Sequence, residues 1–238
     1  MKDQKIQVPR HVALVPDGNR RYAAERGLTP AEGHVAGFEK VKEVLDWALD
    51  AGVRVLTLFA LSLDNLKREA GELSHLFGLL ERGCRQLERD ERIWSRRVRV
   101  RFLGDRSKVP RELARAMERL EEETKHHDAF DLCVAVAYDG RDEIARACRR
   151  VVEACERGDV EPTEVDVGLV AGHLDAPDVP PPDLVIRTSG ERRLSGFLTW
   201  QSAYSELVFQ DVHFPAYERR HFDAALEEYA RRSRRFGL

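Results

Sequence analysis

The 238-residue chain reads as an α/β fold, a single domain on a mainly parallel sheet flanked by helices. Six apolar runs bounded by turn residues recur along it. Several are nearly continuous in Val, Leu, Ile and Phe rather than alternating, as strands buried on both faces require. Amphipathic helical patterns fill the spaces between them, which implies right-handed crossovers.

The first run, residues 11–16, leads into a helix-like stretch at 22–26. Phe38, Val41, Val44, Leu45 and Ala48 then share one helical face, and Gly52 marks that helix's end. A second run covers 53–61, and Leu76, Phe77, Leu79 and Leu80 fit another apolar helix face. Interleaved charges from 81 to 101 predict a solvated helix face carrying ion pairs. The third run is 98–103; Pro110 then opens a helix with Leu113, Ala116, Met117 and Leu120 on its buried face. The fourth run, 130–138, is followed by a helical pattern at 144–155. Residues 176–182 hold four prolines and read as a rigid loop, too short for a domain linker. Runs at 184–186 and 207–209 and a helix at 222–229 complete the series. With no internal repeat, residues 1–238 are expected to form one domain.

Composition excludes several classes. Lys and Arg number 39 against 42 Asp and Glu, a net charge of −3, and 42% of residues are hydrophobic against 34% charged. That is too apolar for a disordered chain, and no apolar run approaches the ~18 residues of a spanning helix. The first ten residues lack the apolar stretch of a signal peptide, so a cytoplasmic protein is expected, with peripheral membrane contact left open. Cys84, Cys133, Cys148 and Cys155 form no CxxC pair and read as free thiols. The negative balance and mixed signs argue against a nucleic-acid surface. Only the C-terminal stretch with Arg231, Arg232, Arg234 and Arg235 is one-signed.

Ligands of parallel sheets bind beyond the carboxyl ends of strands, so polar motifs there carry the functional signal. The first run ends in Asp17, Gly18, Asn19, Arg20 and Arg21, just before a helix. Gly18 permits close backbone approach, the helix start offers free N–H groups, and two arginines can fork onto phosphate oxygens. Asp17 beside them is a candidate magnesium ligand. An ordinary Asp-Gly turn with surface arginines is the competing reading. The second run ends in SLDNLKR at 62–68, and the fifth in RTSGERRLS at 187–195, with three arginines and three hydroxyls. Their shared position would converge all three loops on one pocket. A Walker loop is absent.

These residues resemble the cis-prenyltransferases, the undecaprenyl diphosphate synthase-like or Z-isoprenyl diphosphate synthase family. The matching stretches are HVALVPDGNRRYA at 11–23, GHVAG at 33–37, TLFALSLDNLKRE at 57–69 and DLVIRTSGERRLSGFLTWQSAYSELVF at 183–209. The resemblance implies a homodimer on a parallel six-stranded sheet that joins isopentenyl diphosphate to an allylic diphosphate with Mg2+, making a cis double bond and releasing diphosphate. The product would be a polyprenyl diphosphate, a precursor of a glycosyl-carrier lipid.

It also implies roles for particular residues. Asp17 would hold magnesium and aid departure of the allylic diphosphate, with Gly18, Asn19, Arg20, Arg21, Tyr22 and His34 at that diphosphate. Ser62, Leu63, Asp64, Leu66 and Arg68 belong to the second substrate loop, where Asn65 matches a residue proposed to share in proton removal. Diphosphate is the alternative proton acceptor, because Asn is a weak base. Arg187, Arg193, Leu194 and Ser195 match the isopentenyl diphosphate site, and Glu206 a second magnesium-associated carboxylate. Arg235 and Gly237 match an element that reaches the partner's site across the dimer.

Besides Tyr22, which stands in the place of the family's usual Trp, four positions depart from the family pattern. Pro30 stands for a phosphate-binding Arg, so that either Arg26 or another basic group substitutes or the allylic diphosphate is held differently; Leu66 stands for Trp, Arg192 for a polar residue often His, and Asp139 for the first Gly of a YGGR element. Phe59, Leu61, Leu76, Leu80, Trp94 and Val136 are candidate walls of an apolar product tunnel, with ordinary core as the competing reading. Pro30 and Leu66 keep open a short-chain or irregular synthase on the same fold. A non-catalytic partner subunit would be expected to lose Asp17 and the arginine-rich fifth loop, both of which are present. The absence of DDxxD argues against a trans-type synthase.

Overall fold

A computed structural model describes residues 7–232. All six apolar runs are strands: β1 (His11–Val15), β2 (Val55–Ser62), β3 (Val98–Leu103), β4 (Phe130–Tyr138), β5 (Leu184–Arg187) and β6 (Glu206–Phe209). They form one sheet in the order β3-β4-β2-β1-β5-β6 with every pairing parallel. The helices are α1 (Asn19–Glu25), α2 (Pro30–Ala51), α3 (Ala70–Glu88), α4 (Glu91–Ser95), α5 (Arg111–Thr124), α6 (Gly140–Arg157), α7 (Val167–Gly172) and α8 (Arg219–Arg231).

Local chemistry sets the helix boundaries. Thr29 accepts the Glu32 N–H while the Glu32 carboxylate accepts the Thr29 N–H, and Pro30 takes the first turn, where its missing N–H costs nothing. Pro30, which departs from the family pattern, is thus the start signal of α2. Gly52 ends that helix in the left-handed region at φ 82°, which moves the start of β2 to Val55. Asp139, another departure, accepts N–H bonds from Arg141 and Asp142 and so caps α6.

Successive residues of β1 serve two cores. Val12 and Leu14 pack with Val44, Leu45 and Ala48 of α2, Met117 of α5 and Phe222 of α8. Ala13 and Val15 face the other way, onto Phe59, Tyr138, Phe197 and Leu198, where Ala176 and Val179 of the proline-rich loop also pack. This two-sided burial is why the strand runs are continuous rather than alternating.

The two flanks of β1 differ in origin: β2 follows it on one side, and β5, far along the chain, pairs on the other, with Val15 opposite Arg187. The strand order therefore reverses at β1, which opens a crevice at its carboxyl end. At the outer edge, β3 is sealed by side chains. The N–H groups of Val100, Phe102 and, just beyond the strand, Gly104 donate to Thr124 Oγ1, Glu121 Oε1 and Asp175 Oδ2 at 3.0, 2.7 and 2.9 Å.

Candidate active site

The chain leaves β1 into a loop whose geometry depends on Gly18. At φ 98° this residue occupies a region costly for other side chains, and a Cβ there would meet Ser189 Oγ at 2.4 Å. Helix α1 begins directly afterwards, and its first turn carries N–H groups without an intrahelical acceptor. Asn19 is wedged against α2: a Cβ on Gly33 would meet the Asn19 carbonyl oxygen at 2.3 Å, and one on Gly37 its Oδ1 at 2.2 Å. The two glycines of GHVAG therefore let α1 seat on α2.

Asp17 and Arg187 meet at the switch point. Arg187 Nη2 donates to Asp17 Oδ2 at 2.8 Å, and the Gly18 N–H donates to Asp17 Oδ1 at 2.6 Å. Partial burial pushes the Asp17 carboxyl up, but the Arg187 hydrogen bond and charge, with the Gly18 N–H, outweigh it and hold the group below its ordinary value. Arg187 is buried and also donates to Ser195 Oγ at 2.8 Å and the Arg193 carbonyl at 2.5 Å. That fastens the fifth loop, in which Ser189 and Ser195 sit at φ 73° and 52°. Arg21 reaches the same loop, donating to Glu191 at 2.9 Å and the Ser189 carbonyl at 3.2 Å.

The second loop, Leu63–Lys67, is a 3-10 turn closed by Ser62 and Asn65. Asn65 Oδ1 accepts the Ser62 N–H at 3.2 Å, and the Asn65 N–H donates to Ser62 Oγ at 3.1 Å. Asn65 borders the cleft, and with its amide oxygen engaged its NH2 group is the donor it still has to offer. Beside it, Glu72 of α3 accepts from Arg68 at 2.9 Å and His34 Nε2 at 3.0 Å, with Arg20 at 4.0 Å. Burial lowers the His34 pKa, and Glu72 opposes the shift only in part. Glu72 is pushed up by burial, yet His34, Arg68 and Arg20 bring it below its ordinary value.

These groups line one cleft of about 720 Å³, bounded by Asp17, Arg20, Arg21, Arg68, Arg187 and Ser195 among others. Gly18, Asn19, His34, Ser62, Asp64 and Asn65 also border it. An apolar cavity of about 120 Å³ lies between the sheet and α2 and α3, lined by Phe38, Val41, Leu45, Leu80, Leu132 and Val134 with others. Pro16 and Ala60 border both spaces, so the cavity adjoins the cleft.

Several expected residues lie elsewhere. Tyr22 sits under Arg26, whose guanidinium is 3.9 Å from the ring, so neither lines the cleft. Arg20 and Arg68 line the cleft together with Pro30, as does His34, which burial pushes toward its neutral form. Leu66 packs on the larger core and Leu194 on the smaller; Leu63 is half-buried outside the lining. Arg193 is exposed and paired with Glu191. Glu206 opens β6 level with Leu184, at the amino end of the sheet, and pairs with Arg232 at 2.8 Å. Asp17 follows the carboxyl end of β1, so the chain's own fold does not bring these two carboxylates together. Arg235 and Gly237 fall outside the described residues.

Of the candidate walls, Leu80 lines the cavity, and Leu76 and Phe59 line the cleft. Leu61 and Val136 are ordinary core, and Trp94 stands against His127, outside both spaces. Sequence reasoning missed Glu72, because a glutamate on an amphipathic helix reads as solvated. Its spacing of four from Arg68 was the available signal.

Among the described residues no group of three or more His, Cys, Asp or Glu side chains is arranged to hold a metal. In the cleft Asp17 sits beside arginines, and Asp64 is also part of the lining. That donor set fits a magnesium ion that arrives with a diphosphate, whose oxygens and water complete the shell.

Residues 15–237 match the sequence model of a family described as "Putative undecaprenyl diphosphate synthase". The tritrans,polycis-undecaprenyl-diphosphate synthase (geranylgeranyl-diphosphate specific) of Methanopyrus kandleri is 45% identical over 236 residues, 99% of this chain and 87% of that protein. An isoprenyl transferase of Thermus thermophilus is 45% identical over 234 residues, 97% of this chain and 89% of its own. The crystal structure of lavandulyl diphosphate synthase from Lavandula x intermedia, in complex with dimethylallyl diphosphate, superposes with a TM-score of 0.93 at 33% identity, covering 97% of this chain and 99% of that one.

Proposed function

The chain belongs to the undecaprenyl diphosphate synthase family of cis-prenyltransferases, and from that premise we propose that it condenses isopentenyl diphosphate with an allylic diphosphate, in the presence of magnesium, to build a Z-polyprenyl diphosphate. The observation that carries this reading is the adjacency of an arginine-lined cleft and an apolar cavity on either side of Pro16 and Ala60. A diphosphate with a growing hydrocarbon tail needs that pairing.

Breaking the allylic carbon–oxygen bond places charge on the departing diphosphate. Arg20, Arg21 and the free N–H groups of α1 face that charge, and His34 and Arg68 border it. Magnesium, held by Asp17 and the diphosphate, would supply further charge stabilisation when bound. The apolar wall shields the allylic cation from water. Arg187, Arg193 and Ser195 would hold the isopentenyl diphosphate. Asn65, whose amide oxygen is engaged with Ser62, orients substrate through its NH2 group and leaves the proton to diphosphate.

Geranylgeranyl diphosphate is the proposed primer, on the specificity in the name of the Methanopyrus relative. The product would feed assembly of a glycosyl-carrier lipid. A homodimer is proposed as the working form, which would give Glu206 and Arg235 a site to join, and release of so apolar a product favours peripheral membrane contact. No helix among the described residues is long and apolar enough to cross a membrane. A second reading, a short-chain or irregular synthase, is favoured by the likeness to lavandulyl diphosphate synthase and by Pro30 at the cleft.

The test is incubation with labelled isopentenyl diphosphate, magnesium and dimethylallyl, geranyl, farnesyl or geranylgeranyl diphosphate in parallel, with chromatography of the products. A ladder ending at one length, strongest with geranylgeranyl diphosphate, is expected. Coupling confined to dimethylallyl diphosphate would select the second reading, and no product from any primer would defeat both.

A further inference from the structure

Three side chains form a hydrogen-bonded line behind the cleft. Ser189 Oγ lies 2.6 Å from His213 Nδ1, and His213 Nε2 lies 2.9 Å from Glu25 Oε1. They come from the loop after β5, the segment after β6 and the last turn of α1. An ionised carboxylate only accepts, so Nε2 carries the hydrogen and Nδ1 accepts from the serine hydroxyl. The His213 hydrogen bond is also the main reason the Glu25 carboxyl lies below its ordinary value.

The order Ser, His, Glu, with the serine at φ 73°, has the form of an acyl-transfer triad. Packing forbids that role. Ser189 is only 4% exposed, and a Cβ on Gly18 would come within 2.4 Å of its hydroxyl and 2.7 Å of His213 Nδ1. The space a substrate carbonyl would need is filled by the backbone of Gly18.

What the line does is connect. Ser189 belongs to the loop that Arg187 fastens, and its carbonyl accepts from Arg21. Glu25 closes the helix that Gly18 opens. Next to His213, the Phe214 N–H donates to the Asp17 carbonyl at 2.9 Å, and the Val212 carbonyl accepts the Ser189 N–H at 2.8 Å. His213 thus sits where the first and fifth loops would separate if either slid.

We propose that His213 is a positioning residue, which through Ser189 and Glu25 holds the first and fifth loops at the fixed separation that two adjacent diphosphates require. This rests on the proposed prenyl transfer for its meaning, but its geometry calls only for anion binding. Reacting groups displaced by about 1 Å lose on the order of 100-fold in rate, so a brace distant from the chemistry can matter.

The test measures inorganic pyrophosphate binding by calorimetry, thermal midpoints, and turnover with isopentenyl and geranylgeranyl diphosphates. His213→Ala is expected to weaken pyrophosphate about tenfold and to lower kcat at saturating substrate more than it raises either KM, with a folded state that melts within a few degrees of the natural chain. His213→Asn, which keeps an acceptor for Ser189, should recover part of both losses. Unchanged pyrophosphate affinity and kcat in His213→Ala, or losses no larger than its unfolded fraction, would overturn the proposal. Should His213→Ala fail to fold, Glu25→Ala is measured in its place, with the same losses expected and the same result against. Natural protein that binds pyrophosphate without prenyl transfer would refute the proposed function while the affinity comparison still decides the brace. Absence of pyrophosphate binding would overturn both.

Discussion

The cleft and the apolar cavity share Pro16 and Ala60, yet they are built by opposite means. In the cleft, backbone is bent into left-handed conformations at Gly18, Ser189 and Ser195, and its charged groups meet partners: Asp17 with Arg187, Glu72 with Arg68 and His34, Glu191 with Arg21. The cavity needs no such distortion. Phe38, Val41, Leu45 and Leu80 occupy regular helical positions, and the space is a stretch of core left unfilled between α2, α3 and the sheet. Holding charge in place demands a specified backbone, whereas accepting a hydrocarbon demands only room.

Four experiments break or sharpen that contrast. Asp17→Ala should lower kcat by about 10³-fold or more with its thermal midpoint little changed, because a metal-ligating carboxylate acts mostly in the transition state. Near-normal turnover would remove Asp17 from the mechanism. Arg193→Ala should raise the KM for isopentenyl diphosphate by about 10- to 100-fold, the ~1.5–3 kcal/mol of a charge-assisted contact, and titration of that substrate alone gives the check. An unchanged KM would detach the exposed arginine from the site.

On the apolar side, Val41→Phe should shorten the principal product by at least one isoprene unit, at a stability cost of about 1–3 kcal/mol for overpacking. An unaltered ladder by mass spectrometry would mean that the hydrocarbon runs elsewhere. The smallest effect is a pH dependence outside both spaces. Burial holds His11 at about 4 instead of 6.5, although the Pro180 carbonyl pulls the other way. The unfolded chain therefore takes the proton first, so stability complete above about pH 6.5 falls as pH drops toward about 4. His11→Asn should flatten that part of the melting-temperature profile, and an identical profile would assign the loss to carboxylates.

The same contrast explains how much was legible in sequence. The strands were readable because burial on both faces makes them continuous apolar runs, and Gly52 marks the end of α2, whereas its capped start at Thr29 and Pro30 was not read from the sequence. The meeting of Asp17, Arg20, Arg21 and Arg187 at one cleft followed from polar motifs placed after strands. The cavity was not readable, since Val41 or Leu45 beside a void has the same sequence signature as in a filled core. Trp94 looked like a wall and lies outside. Glu72, Glu25 and His213 escaped because each is an ordinary surface residue until a distant segment folds onto it.

The sealed edge of β3 bears on the life of the protein in a crowded solution. An open edge strand is a template on which another chain can lay its own strand, the first step toward sheet-like aggregates. Here Thr124, Glu121 and Asp175 have already claimed the outward N–H groups of that strand, and Glu121 is itself anchored by Arg106 at 2.5 Å. Intruding backbone would have to displace hydrogen bonds already made, so concentrated preparations should resist fibrillar association through this flank.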